Sequence, residues 1–252
     1  MEPQASTISE AVPTSSFGTR AAGVFSSPGE VFAEVGGSPV QTSSWLLPYI
    51  LSLLIAIVFT FALFNNQSLR QQVLDPQKQK LEKQVEQGKM TQDQYDKAVS
   101  MMESPPMFFA FGVIGSFVFV SLAFFLVPAV LMLAAKAALK ASVPYKKMLE
   151  VFGLSSMVGV LGAVITLLMM HLFDSVHATP GLSLVVMNGF DQDNMGHKLL
   201  AAVNVFSLWQ TWIVGKGISG VTGTSSGTGV GLAFGLWVVW VIVSSLLNLG
   251  MR

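Results

Sequence analysis

The sequence predicts an all-α polytopic membrane protein: a five-helix transmembrane bundle with a short interfacial N-terminal helix and a helical polar insert between spans one and two. Composition and charge placement predict this class. Of the 252 residues, 52% are hydrophobic and only 11% are charged, against roughly 25% charged in an average soluble domain. The charged residues crowd into a few segments, and the uncharged stretches between them are long enough to cross a bilayer.

Residues 1–24 are predicted to form a disordered tail. The segment is rich in Ser, Thr and Pro, and it lacks the apolar core and basic start of a signal peptide. It contains too little apolar surface to offset the entropy cost of ordering the chain. The membrane domain is predicted to cover residues 25–252.

A short amphipathic helix is predicted at residues 27–36. Ser27 is the predicted N-cap, Pro28 the first helical residue, and Glu30 the partner of Ser27 in a capping box. The large apolar side chains gather on one side, so we expect the helix to lie in the headgroup plane as a collar of the bundle. An ordinary helix start without a collar role is the simpler alternative. The residues assigned to this interfacial collar are Phe25, Ser27, Pro28, Glu30 and Phe32.

Five segments are predicted to span the membrane, because a bilayer core about 30 Å thick needs roughly 20 apolar residues in a helix. The fourth is the weakest, since Asn204, Ser207, Gln210 and Thr211 interrupt it. A further apolar run at 182–187 is too short to span, and we expect it to lie at the interface or to re-enter the membrane. The predicted spans are residues 45–64, 107–135, 149–173, 199–218 and 230–249.

The polar insert at residues 65–106 is predicted to be a small helical hairpin outside the membrane. Asp75 and Pro76 form one predicted helix start, and Thr91 with Gln94 matches a capping box that opens a second helix. A solvated connector without a binding partner is the simpler interpretation of the same pattern.

The lysine distribution leaves the orientation open from the residues alone. Lys136, Lys140, Lys146 and Lys147 lie in the short segment after the second span, which indicates a cytoplasmic loop and a cytoplasmic N-terminus. The polar insert also carries several basic residues, and these favour the opposite orientation.

Small and polar side chains at helical spacing predict how the spans pack. Residues four apart with small side chains let helix backbones approach closely, and an asparagine in hydrocarbon needs a partner inside the bundle. The same polar face of the fourth span could instead line a path for a polar solute. The predicted packing and polar-face residues are Asn204, Ser207, Trp209, Thr211, Gly215, Gly231 and Gly235.

The sequence contains no recognisable catalytic constellation, and we expect no catalytic residue, no cofactor and no bound metal. The run Gly215–Gly220 matches a dinucleotide-binding pattern, but an apolar helix precedes it where a strand is needed. His171, Asp174 and His177 are the strongest alternative for a metal site, provided that the helix continues past them. A net charge of zero gives no argument for binding nucleic acid.

Two stretches occur in a characteristic order: Phe25–Phe32 before Trp45–Pro48, and Asn204–Trp209 before Gly215 and Gly217. They resemble the N-terminal signature and the fourth-span motif of the Yip family, the Ypt/Rab-interacting integral membrane proteins. The resemblance covers nearly the whole chain apart from the tail. It implies a five-helix bundle with a cytoplasmic N-terminus and the C-terminus on the far side.

The resemblance also bears on function and partners. In eukaryotic members the cytoplasmic face engages small GTPases during vesicle traffic. The short tail and the long polar insert of this chain look more like bacterial members, so a GTPase partner is expected only if the eukaryotic role carries over. We therefore expect a multi-pass protein of a bacterial inner membrane.

We expect a non-catalytic scaffold, adaptor or membrane-organising protein that contacts the lipid bilayer and binds protein partners or further copies of itself. The alternative is a transporter or channel for a small solute that uses the polar face of the fourth span. An integral membrane enzyme is the weakest of the three, with the two histidines and the aspartate as its only candidate cluster.

Overall fold

The computed structural model describes residues 15–191 and 193–246. This part of the chain belongs to the all-α class, as predicted, and contains ten α-helices and two short 3-10 helices, Leu182–Val185 and Met187–Gly189. The α-helices are α1 (Phe17–Ser26), α2 (Pro28–Gly37), α3 (Ser43–Asn65), α4 (Gln67–Glu86), α5 (Gln92–Glu103), α6 (Pro105–Leu139), α7 (Tyr145–Phe173), α8 (Met195–Ala202), α9 (Val205–Thr222) and α10 (Ser226–Leu246).

Four helices, α3, α6, α7 and α10, are long and apolar enough to cross a membrane. They correspond to the first, second, third and fifth predicted spans. The remaining predicted span corresponds to α9, which is not among the four. Its 18 residues include Gln210 and Lys216, and these polar side chains lower its hydropathy.

The fourth predicted span, residues 199–218, is not one continuous helix. It breaks between α8 and α9, where Asn204 has an extended backbone and its side chain accepts a hydrogen bond from the Phe206 N–H. The break pairs with the preceding loop, because Leu182 donates to the Val203 carbonyl and Val205 donates to the Pro180 carbonyl, each at 3.0 Å. The run at 182–187 is mostly 3-10 helix held against this break.

The predicted tail is helical over its last part. Residues 17–24 belong to α1, which begins after Ser16, whose side chain accepts a hydrogen bond from the Thr19 N–H. Arg20 and Val24 are fully buried, so this segment is ordered by packing that the composition of the tail does not reveal. Residues 1–14 lie outside the described part of the chain.

Helices α1 and α2 form a tight hairpin that packs against the bundle. Ser27 ends α1 and starts α2: its N–H donates to the Gly23 carbonyl, and its side chain makes no capping hydrogen bond. The predicted capping box of Ser27 with Glu30 is therefore wrong, because the residue serves two helix ends at once.

The apolar side of α2 is buried by protein, not laid on a headgroup surface. Phe32 and Val35 are fully buried in a core cluster with residues of α7 and α9. Helix α2 runs alongside α9 and touches it backbone to backbone, since a Cβ at Gly220 would lie 2.5 Å from the Phe32 carbonyl oxygen. Packing against α7 and α9 covers the apolar stripe of this ten-residue helix, and such tertiary contacts supply most of the stability of a short helix.

The polar insert is helical, and α4 and α5 form a hairpin. The capping box of Thr91 with Gln94 is confirmed. The predicted start at Asp75 and Pro76 is wrong: α4 begins at Gln67, where the side chain of Asn66 caps it, and Pro76 lies inside the helix. The Asn66 cap determines the start, and Pro76 inside the helix removes one backbone hydrogen bond without ending the helix.

Candidate functional site

Arg20 of α1 is the centre of a buried ionic cluster at the open end of the α1–α2 hairpin. Its side chain is fully buried, and Nη2 donates to Oε1 of Glu34 on α2 at 2.9 Å. The same guanidinium donates to Ser38 Oγ at 3.0 Å and to Ser44 Oγ at 3.2 Å. One side chain thus connects α1, α2, the following loop and the start of α3.

Glu150, near the start of α7, is the second fully buried charge in the cluster. Oε1 accepts a hydrogen bond from the Gln41 N–H at 2.7 Å and lies 3.6 Å from Nη1 of Arg20. Oε2 makes no hydrogen bond of acceptable geometry, but it lies 2.8 Å from Nζ of Lys147. Ion pairing therefore neutralises this buried carboxylate from two sides.

Lys147 completes the cluster by reaching back to the hairpin. Its Nζ donates to the Val35 carbonyl oxygen at 2.7 Å, near the C-terminal end of α2, where carbonyl groups lack helical partners and favour a cation. Arg20, Lys147, Glu34 and Glu150 contribute two positive and two negative charges. This balance is what allows Arg20, Lys147 and Glu150 to be taken out of water beside the partly exposed Glu34.

Glu34 is the most exposed carboxylate of the cluster, with 27% of its side chain accessible. Burial acts to raise its pKa, but hydrogen bonds from the Ser15 N–H and from Arg20, together with the positive charge of Arg20, outweigh burial and lower the pKa. Glu34 is therefore ionised at neutral pH and keeps its bond to Arg20.

The collar residues predicted from the sequence divide between the core and the surface. Pro28 and Phe32 are buried, Glu30 is exposed, and Phe25 is 36% exposed with its ring centroid 5.7 Å from that of Trp209. Trp209 packs against the core cluster that contains Phe32. The hairpin is thus anchored on α9 by aromatic contacts at its tip and by close backbone packing towards its base.

The predicted polar face of the fourth span is occupied by bonds within its own helix. Asn204 caps α9, Ser207 donates to the Asn204 carbonyl at 2.8 Å, and Thr211 donates to the Ser207 carbonyl at 2.7 Å. The neighbouring Gln210 packs against α7, because a Cβ at Gly159 would lie 2.7 Å from its Oε1. The structure places these groups at a helix end and a helix contact.

A comparison of the sequence with models of protein families identifies the family of this chain. The Yip1 domain model matches residues 22–248, nearly the whole chain and every span described above. The chain belongs to the Yip1 family. The family predicted from the two sequence stretches is thus confirmed, whereas no curated protein and no solved structure matches the chain.

The predicted glycine contacts of this Yip1 protein are only partly where the sequence places them. Gly215 lies at the contact of α9 with α10, where a Cβ would be 2.5 Å from the Val230 Cα. A Cβ at Gly231 or Gly235 would meet no atom within 4 Å, so neither residue lies at a close contact between the described helices of one chain. The close glycine on α10 is Gly229, which faces Ser219 and Gly215.

The alternative metal ligands do not come together in the Yip1 fold. Helix α7 ends at Phe173, Asp174 adopts a left-handed backbone, and the ring of His177 stacks on Phe190 at 4.1 Å. Across the residues that the structure describes, no group of three or more His, Asp or Glu side chains could hold a metal ion. The C-terminal end of α7 instead bonds to α4, since Gln72 Nε2 donates to the Asp174 carbonyl at 2.8 Å.

The ionic cluster is the feature that the sequence reasoning missed. Arg20 lies in the predicted disordered tail, and Glu150 lies at the start of the third predicted span. A signal was present, because Arg20 is the only basic residue before Arg70 and occurs close to an apolar segment. An isolated charge beside a membrane segment is a candidate for a buried pair.

Proposed function

We propose that this Yip1-family protein is a non-catalytic, five-span membrane scaffold or adaptor. The ionic cluster carries the proposal: it locks the α1–α2 hairpin onto α7, beside the packing of α2 on α9, and so gives one end of the bundle a fixed shape. A fixed surface suits a protein that holds partners in place. The partners are other membrane proteins or further copies of the chain, and a small GTPase is a partner only if the eukaryotic role carries over.

In this proposal α9 also crosses the membrane, as the fourth of five spans in chain order. Its 18 residues give a length of about 27 Å at 1.5 Å per residue, close to the thickness of a bilayer core. It is packed between α7, α10 and α2, so protein covers much of its polar surface. Lys216 also has its charge placed over the ring of Trp212, with 5.3 Å to the centroid.

The end of the bundle with the α1–α2 hairpin faces the cytoplasm in this proposal. Lys136, Lys140 and Lys146 are exposed around the connection of α6 to α7, at the end of the bundle where Lys147 meets α2. Basic residues in short loops favour the cytoplasmic side. With the likeness to bacterial members, this supports a bacterial inner membrane with the N-terminus inside.

Solute transport is the competing function. The hydroxyls of Ser207 and Thr211 donate to carbonyls of their own helix, and Asn204 is used as a cap. These contacts favour a structural role for the polar face, because the groups that would bind a solute already have partners.

Site-directed photocrosslinking in native membranes tests the scaffold function. A photoreactive residue is introduced at Ser142 or Ser225, which are exposed in connections at the hairpin end of the bundle, and at Leu122, which is exposed on α6. The scaffold predicts a defined protein adduct at the first two positions and lipid adducts at Leu122. The adduct should weaken when Arg20→Gln loosens the hairpin.

Flux assays in vesicles that contain the purified protein test the transporter alternative. The proposal predicts solute permeability equal to that of empty vesicles. Selective flux that is present in the wild type and lost in Asn204→Leu, with no protein adduct at Ser142 or Ser225, would replace the scaffold with the transporter.

A further inference from the structure

A cavity of about 660 Å³ lies between α3 and α6 and is covered at one end by the α4–α5 hairpin. Its floor is the contact of the two helices, where a Cβ at Gly112 would lie 2.6 Å from Cγ2 of Thr60. Phe59 and Phe111 are among its walls, and Leu74 of α4 is part of its cover. This volume falls in the range of about 300–1,000 Å³ typical of small-ligand sites.

The lining is mostly apolar and suits an apolar ligand, whereas a polar ligand would find few free hydrogen-bonding groups in it. Its four polar side chains already have hydrogen-bond partners: Ser52 donates to the Pro48 carbonyl, Thr60 to the Ala56 carbonyl, Gln77 to the Val73 carbonyl, and Ser116 pairs with Thr60. Because α3 and α6 are both apolar enough to span a membrane, the cavity is open to hydrocarbon chains.

A positive charge stands near the covered end of the cavity. The guanidinium of Arg70, in the first turns of α4, lies 5.8 Å from the ring centroid of Phe64. That ring is 6.3 Å from the ring of Phe108, which lines the cavity. Among the described residues, no carboxylate lies within ion-pair distance of Arg70. Arginine in this position, where the span ends, matches the phosphate of a lipid headgroup.

We propose that this cavity is a phospholipid site, with one acyl chain between α3 and α6 and the phosphate beside Arg70. The three observations act together: the apolar lining selects a hydrocarbon chain, the α4–α5 cover confines its end, and the arginine selects an anionic headgroup. The α4–α5 hairpin is then the cover of a lipid site as well as a connection between two spans.

Photolabelling of the wild-type protein in nanodiscs tests the site without any substitution. The probe is a phosphatidylglycerol with a diazirine in its acyl chain, and adducts are located by mass spectrometry. Phe111 and Phe117 provide a matched pair, since both lie on α6 with 56% and 55% exposure but only Phe111 lines the cavity. We expect several-fold more adduct at Phe111, competed by unlabelled phospholipid. Equal labelling of the two rings would overturn the proposal.

Two substitutions and one control then test the acyl-chain site and the headgroup site separately. Ala56→Phe fills the cavity, and Ala110→Phe adds the same ring to an exposed position of α6 outside it. We expect the phospholipid retained after detergent purification to fall several-fold in Ala56→Phe and to stay unchanged in Ala110→Phe.

Arg70→Gln should reduce retained phosphatidylglycerol several-fold and leave the retention of a labelled diacylglycerol unaffected. Equal loss of both lipids, or no loss, would overturn the role of Arg70, and the labelling test stands even if Ala56→Phe fails to fold.

Discussion

Arg20 and Glu34 lie on the two arms of the N-terminal hairpin, and Nη2 of the arginine is 2.9 Å from Oε1 of the glutamate. Arg20 is also 3.6 Å from the buried carboxylate of Glu150 on α7. The same arginine therefore joins the two arms of the hairpin and attaches the hairpin to the bundle. A change at Arg20 should loosen both.

Replacing Arg20 by Gln should destabilise the protein by about 3–5 kcal/mol, because removal of one partner leaves Glu150 buried with less compensation. Lys146→Gln is the matched control, since Lys146 is an exposed cation beside the cluster and its loss should change stability by less than about 1 kcal/mol. Denaturation of the detergent-purified proteins measures both. Equal stability of the two variants would show that the cluster contributes nothing.

The docking of the hairpin should depend on pH through Glu34. The folded protein holds the pKa of this carboxyl below its ordinary value of 4.5, so the ionised form is stabilised by folding. The contribution is complete above the ordinary value and is lost as the pH falls through the lowered pKa. Arg20, Lys147 and Glu150 surround the same site, and Glu34→Gln isolates the contribution of Glu34 from theirs.

Hydrogen exchange of residues 17–37, measured from neutral to acidic pH, reports that dependence. The wild type should lose protection of the hairpin at the acidic end of the series. Glu34→Gln should show weaker protection at neutral pH and a smaller change with pH. Identical pH profiles for the two proteins would be evidence against the ionisation of Glu34 as the cause.

The crossing of α2 with α9 predicts opposite outcomes for two adjacent glycines. A Cβ at Gly36 would overlap the carbonyl oxygen of Gly220, whereas a Cβ at Gly37 would meet no atom within 4 Å. Gly36→Ala should cost about 1–3 kcal/mol through forced separation of the backbones. Gly37→Ala should be neutral or slightly stabilising, because alanine is the better helix former.

Trypsin provides a direct measurement of this difference. Arg20 is the only site for trypsin before Arg70, and it is fully buried while the hairpin is docked. Cleavage after Arg20 should be faster in Gly36→Ala than in the wild type and unchanged in Gly37→Ala. Faster cleavage in both variants would place the effect in the hairpin itself and not in its contact with α9.

A second pair of glycines tests the packing of α9 against α10. Gly215→Ala should lower the thermal midpoint, since its Cβ would lie 2.5 Å from the Val230 Cα, and backbone atoms cannot yield as a flexible side chain can. Gly231→Ala adds the same methyl group to an open position and should leave the midpoint unchanged. A drop of equal size in both variants would contradict the contact map at this crossing.

The apolar segments of the bundle and the second helix of the insert could be predicted from sequence, because length, hydropathy and the Thr91–Gln94 cap are local properties. The start of α4 was placed too late, since the Asp75–Pro76 pair resembles a helix start as closely as the Asn66 cap does. Local patterns define helices well and distinguish competing starts poorly.

The position of the hairpin could not be predicted in the same way. The stripe of Val31, Phe32 and Val35 shows that one side of α2 avoids water, but it does not show whether lipid or protein covers it. Arg20 and Glu150 are far apart in the chain, so no spacing rule connects them. The break at Asn204 could not be predicted for a similar reason. It pairs with Gly181, and helix α8 separates the two residues in the sequence.

The contact of Gly36 with Gly220 also constrains how the chain matures during synthesis. The ribosome releases the hairpin first and α9 near the end. The face of α2 that contacts α9 therefore has no partner until α9 has been synthesised. Closure over Gly220 is accordingly a late event, and a chain that stops short of α9 covers Phe32 and Val35 only from the side of α7.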